Sequence, residues 1–92
     1  MDDITVTLEE RGSRYGAFKN HAAVTQELKR TLYRHMDNVS KVECDADQLE
    51  ALEMICHKIG RIVNGDPDYV DSWVDIAGYA KLVADRLQGV IR

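Results

Sequence analysis

Asp47-Gln-Leu-Glu-Ala-Leu-Glu-Met-Ile-Cys-His-Lys-Ile-Gly-Arg-Ile-Val-Asn-Gly65 is the stretch whose reading decides the fold. At about 100° per residue, Leu49, Leu52, Ile55, Cys56, Ile59, Ile62 and Val63 fall in one arc, with Glu50, Glu53, His57 and Arg61 opposite. That period belongs to a helix and not to a strand. Asp47 and Glu50 fit the N-cap and N3 positions of a capping box, and Asn64-Gly65 is a good C-cap pair, so a helix is expected over residues 47–64.

Moving outward, Asp66-Pro67-Asp68 places acid before and after a proline suited to a first turn, and complements the positive end of a helix dipole. The helix that follows is expected over about 68–90, with Tyr69, Trp73, Ile76, Ala80, Val83, Ala84, Leu87 and Ile91 as its core stripe. On the other side, residues 37–46 form a polar connection, preceded by a helix over about 17–36. Within that helix's apolar arc, His21, Thr25 and Lys29 follow at i, i+4 and i+8, which reads either as a rim of outward-reaching side chains or as a cleft wall. Ile4, Val6 and Leu8 alternate like a strand, yet Leu8-Glu9-Glu10-Arg11 suits a short helix, which is the favoured reading. Gly12 and Gly16 then bracket a bend whose backbone N–H groups would be free to approach an anion. The expected fold is all-α, one domain over residues 1–92: a small bundle of three main helices plus a short N-terminal segment.

Ninety-two residues hide only about 60–65% of their unfolded surface, so the core is thin and completion by oligomerisation is expected. A net charge of −4 argues against general nucleic-acid binding, which clustered Lys and Arg supply. The average conceals a split. Arg11 to Arg34 holds six basic residues and one acid, whereas acids dominate from Glu43 to Asp75. Bringing these segments together would suit a metal-bound phosphate ligand, and equally ordinary ion pairing. The opening MDDITVTLEE has no apolar core and no basic flank, and no run is long enough to span a membrane, so a cytoplasmic protein without a signal peptide is expected. Cys44 and Cys56 lack CxxC spacing, which fits neither a redox motif nor a zinc site.

Two carboxylate pairs carry the candidate chemistry. Asp71 and Asp75 lie four apart on one helical face, where like charges cost a few tenths of a kcal/mol. A divalent cation would offset that cost, Mg²⁺ being held commonly by one or two carboxylates plus substrate phosphates; solvation of both acids is the plainer alternative. Glu50 and Glu53 form an ExxE, though Glu50 is also the capping-box acid. Antiparallel packing through the connection at Gly65 would put the two pairs at opposite ends. Cys56 and His57 point about 100° apart and are not a nucleophile and base. Gly60 and Gly78 sit inside helices, where each costs about 1 kcal/mol, so close approach of another element is expected at both. Tyr79, one turn beyond the acid pair, would contact a base or sugar, or simply pack at the boundary.

Arg11-Gly12-Ser13-Arg14-Tyr15-Gly16-Ala17-Phe18, then Met54 to Ile62, then Asp71-Ser72-Trp73-Val74-Asp75-Ile76-Ala77-Gly78-Tyr79-Ala80 resembles the small phage and prophage proteins patterned RGxxYGxF, MxxxKIxR and DxWxDIAGYA. The resemblance covers about residues 8–85. That group in turn is distantly similar to the MazG and dUTPase-type all-α nucleotide pyrophosphohydrolases. It implies an oligomeric helical bundle in which an ExxE and an ExxD hold Mg²⁺ against nucleotide phosphates. Here Glu50 and Glu53 match the ExxE and Asp75 the second acid of the ExxD, but the first acid falls on Ser72, with Asp71 beside it. By family position Glu50, Glu53 and Asp75 would hold the metal, with Asp71 as the neighbouring acid of the pair, Glu53 and Asp75 would be catalytic, and Lys58 and Arg61 would face phosphate.

Three functions follow: a Mg²⁺-dependent nucleoside triphosphate pyrophosphohydrolase; a non-catalytic binder of a nucleotide or nucleotide-derived signal using Arg11, Arg14, Tyr15, Lys29, Lys58 and Arg61; or a helical module that docks on a host protein. None involves nucleic acid or a membrane.

Overall fold

Helices account for most of residues 2–92, the part of the chain that the computed structural model describes; Met1, the start of the expected N-terminal segment, lies outside it. In order they are α1 (Asp3–Tyr15), α2 (Phe18–His35), a π-helical turn (Met36–Ser40), α3 (Ala46–Asn64) and α4 (Val70–Leu87). The all-α expectation holds, with four helices where three main ones plus a short N-terminal segment were expected, that segment being the thirteen-residue α1.

Each boundary has a local cause. The Asp2 side chain caps α1 by accepting the Thr5 N–H at 2.6 Å. The helix then runs through Gly12 and ends only at Gly16, whose φ of +75° lies in the left-handed region. The bend expected between Gly12 and Gly16 is therefore helical, and the Gly16 N–H donates to the Gly12 carbonyl at 2.9 Å, so no backbone cradle for an anion forms there. At α3 the capping box is Asp45 with Gln48, not Asp47 with Glu50; the Gln48 side chain accepts the Asp45 N–H at 2.7 Å. Asp47 is turned instead to Arg86, 2.7 Å away, and Glu50 has no capping role. α4 is shorter than expected at both ends. Asp66-Pro67-Asp68 is a turn in which the Asp66 side chain accepts the Asp68 N–H. Past Leu87 the chain reverses at Gly89 (φ +92°) and brings Arg92 within 2.7 Å of Asp85.

α3 is the middle helix, with α2 against one side, α4 against the other, and no contact between α2 and α4. Lys58 to Asp75 (2.9 Å) and Arg86 to Asp47 fix one antiparallel register for α3 and α4. On the other side α2 crosses α3 at Gly60, where a Cβ would fall on the Thr25 hydroxyl and within 3.0 Å of the His21 carbonyl. His21 and Thr25 are buried in that crossing. The polar line along α2 is thus the contact line with α3 at these two positions, and at His21 it also walls a hollow, as the cleft reading expects.

The resulting layer is open. Ala51, Cys56 and Ile62 are the buried apolar residues, and no described side chain is completely enclosed. The radius of gyration is 15.4 Å, against about 12 Å for a compact domain of this length. Leu52, Val63, Trp73 and Leu87, all from the expected core stripes, stand exposed.

Candidate functional site

Where α1 gives way to α2, the chain meets the α3–α4 connection. The Asn64 side-chain amide donates to the Tyr15 carbonyl at 3.0 Å and the Ala17 carbonyl at 3.2 Å, and the Asp66 N–H donates to the Arg14 carbonyl at 2.7 Å. Gly16 and Gly65 make this approach possible, since a Cβ on the first would strike Asn64 and on the second the backbone of Arg14 and Tyr15. The clamp holds four side chains in a ladder. The Arg14 guanidinium lies 4.6 Å over the Tyr69 ring, Tyr69 meets Tyr15 edge-on at 6.0 Å, and the Arg61 guanidinium lies 4.2 Å over Tyr15. Tyr69 in turn donates its hydroxyl to Asp71 at 2.8 Å, which pushes the phenol above its ordinary range.

Beside the ladder is a hollow of about 450 Å³ lined by Arg11, Tyr15, Phe18, His21 and Arg61 among others. Its polar groups are underused. Arg11 and Arg61, which line it, have no ion-pair partner among the described residues, nor do Arg14 and Lys29 outside it. Two enclosed atoms, Arg61 Nε and His21 Nδ1, make no hydrogen bond. Such orphaned buried groups are uncommon and call for a partner. The nearby imidazoles are held neutral: burial, then Arg61, lower both, and His57 falls to about 4. His21 and His57 stack edge to face at 5.6 Å.

The three motif segments therefore meet, through Arg14 and Tyr15, Arg61, and Tyr69 with Asp71. A family model described as a domain of unknown function (DUF6378) matches residues 3–87. The chain belongs to that family. No curated protein and no solved structure matches it.

In this DUF6378 domain the four expected metal-binding acids are spread along the helices. The Tyr33 hydroxyl donates to Glu53 at 2.6 Å, which raises the phenol to about 12 and turns the carboxylate toward α2. Asp75 is paired with Lys58, Asp71 with Tyr69, and Glu50 is exposed. With Asp75 level with Lys58, Glu50 lies eight residues away along α3, about 12 Å at 1.5 Å per residue. No group of three or more His, Cys, Asp or Glu residues placed to share an ion occurs among the described residues. Of the expected phosphate-facing cations, Arg61 belongs to the ladder, whereas Lys58 is buried between α3 and α4. Lys29 is half-buried on α2 and acts on Cys56, whose thiol is raised chiefly by burial. Tyr79 lines hollows beside Asp75 and beside Glu50, away from the ladder.

Tyr69, His21 and Asn64 are the contributors that sequence reasoning did not assign to a site. Tyr69 sat in an apolar stripe and Asn64 in a C-cap pair. Only His21 carried a signal, as a polar residue inside an apolar arc. Among the described residues no helix is long and apolar enough to cross a membrane.

Proposed function

We propose that the protein binds a phosphorylated small molecule of the nucleotide class at the junction of α1, α2 and α3. The observation that carries this reading is the meeting of unpaired guanidinium groups and tyrosine rings beside enclosed, unpartnered polar atoms. Arg11, Arg14 and Arg61 would take phosphate oxygens, for which planar guanidinium donors are well matched. Tyr15 and Tyr69 offer aromatic surface to a base or sugar. Neutral His21 has an unpartnered ring nitrogen for a further polar group of the ligand.

Binding without hydrolysis is favoured over the pyrophosphohydrolase reading. The four acids do not fit a Mg²⁺ cage within one chain, because Glu53 and Asp75 already have partners on α2 and α3. One observation keeps hydrolysis as the second reading: Glu50 and Asp75 line separate hollows that share Tyr79 and Leu82. A phage origin, a host cytoplasmic setting and a host-protein partner rest on the motif resemblance alone. Self-association is supported by the open layer of helices.

The test is a panel of nucleoside mono-, di- and triphosphates, with and without Mg²⁺, read by thermal shift and pyrophosphate release together. Stabilisation without turnover supports the binder. Mg²⁺-dependent turnover lost in Asp75→Ala would replace it with the enzyme. No shift and no turnover would sink both.

A further inference from the structure

The antiparallel pair of α3 and α4 has two outward sides of opposite character. One carries Glu50 and Arg61 from α3 with Asp71, Asp75 and Gly78 from α4. The other is apolar along both helices, with Glu43 of the connection before α3 as the charged residue lining its hollow. From α3 it presents Leu52, Ile55, Ile59 and Val63, spaced three or four apart; from α4 it presents Trp73, Ala77, Ala80 and Ala84 at the same spacing. Leu52, Ile55 and Ala80 line one hollow, so the two rows adjoin. Trp73 is fixed there by its ring N–H, which donates to the Pro67 carbonyl at 2.8 Å, and is still 53% exposed.

We propose that this apolar side of α3 and α4 docks a second copy of the chain about a two-fold axis, so that the two helix pairs complete one four-helix core. The exposed area measures the deficit. The chain exposes 6618 Å², whereas a folded monomer of 10.4 kDa exposes about 5,400 Å². The excess, roughly 1,200 Å², exceeds the 800 Å² or so that each partner gives to a standard stable interface. The occupant follows from charge and symmetry. A two-fold contact sets each patch against itself, so a charged patch would oppose like charges, as the side bearing Asp71 and Asp75 would. The apolar side has Glu43 alone, in the connection and not on the facing helices, and Ala77, Ala80 and Ala84 let a facing helix approach closely. The side bearing Asp71, Asp75 and Gly78 stays open in this dimer.

Sedimentation equilibrium of the full chain tests the dimer directly, with a mass twice 10.4 kDa expected at micromolar concentration. Ala80→Glu is exposed in the single chain and keeps a good helix former, so it is expected to give a folded species of one-chain mass. Leu82→Glu, on the other side, is expected to remain dimeric. The unaltered protein supplies a second reading: its Tm is expected to rise with protein concentration, as for any assembly that only the folded state forms. A one-chain mass with a concentration-independent Tm overturns the proposal, as does a dimer that Leu82→Glu splits and Ala80→Glu leaves intact.

Discussion

Gly60 and Gly78 present the same sequence signal, a glycine inside a helix, and the structure gives them opposite surroundings. Gly60 lies at the crossing of α2 and α3, where a methyl group would strike the buried Thr25 hydroxyl and come to 3.0 Å from the His21 carbonyl. At Gly78 a Cβ would meet nothing within 4 Å. The expected close approach is present at the first and absent from the chain itself at the second. The contrast extends to the helices. Against α2, α3 is packed tightly enough to need a glycine; beyond α4 there is only open surface.

The largest effect should come from filling the tight crossing. Gly60→Ala is expected to destabilise by about 1–3 kcal/mol, the usual cost of overpacking, since Thr25 is buried and backbone lies behind it. In a domain of this size each kcal/mol moves Tm by about 4–8 °C, so thermal denaturation resolves it. Gly78→Ala should act with the opposite sign, stabilising by up to about 1 kcal/mol through helix propensity alone. It should also leave the mass unchanged. A loss of stability at Gly78 would mean that something does cover that side, and would move the interface from one face of α4 to the other.

A smaller effect should appear with pH, because the crossing of α2 and α3 also holds His21 and His57 neutral. His57 is lowered to about 4 from an unfolded value near 6.5, so the unfolded chain takes up its proton first as pH falls. Stability is therefore complete above about 6.5 and declines progressively toward 4, with His21 acting in the same direction. Comparing Tm at pH 7 and pH 5 for the wild type and His57→Gln checks this. The variant should show the shallower decline. An equal decline would place the responsible group elsewhere.

Local pattern carried the helices well. The apolar arc of α3 is written in a few neighbouring residues, whereas Asp66-Pro67-Asp68, expected to open α4, is a separate turn before Val70. Local pattern also carried less at the start of α3, where Asp47 with Glu50 was the expected capping box and Asp45 with Gln48 forms it; the Arg86 contact that draws Asp47 away comes from another helix. The candidate site was the least legible. Arg14 and Tyr69 meet through the register of α3 with α4 and through the Asn64 clamp, and neither leaves a periodic trace. The acid pairs were legible as pairs. Their separation was visible only as a consequence of antiparallel packing, which the Lys58–Asp75 bridge now fixes.

Calorimetric titration of a nucleoside triphosphate into the wild type, Arg61→Ala and Glu50→Gln tests the ligand site most directly. Saturable binding is expected, weakened at least about tenfold in Arg61→Ala, as for loss of a hydrogen bond to a charged group, and unchanged in Glu50→Gln. Binding insensitive to Arg61 but lost with Glu50 would contradict the account and return the site to the carboxylates.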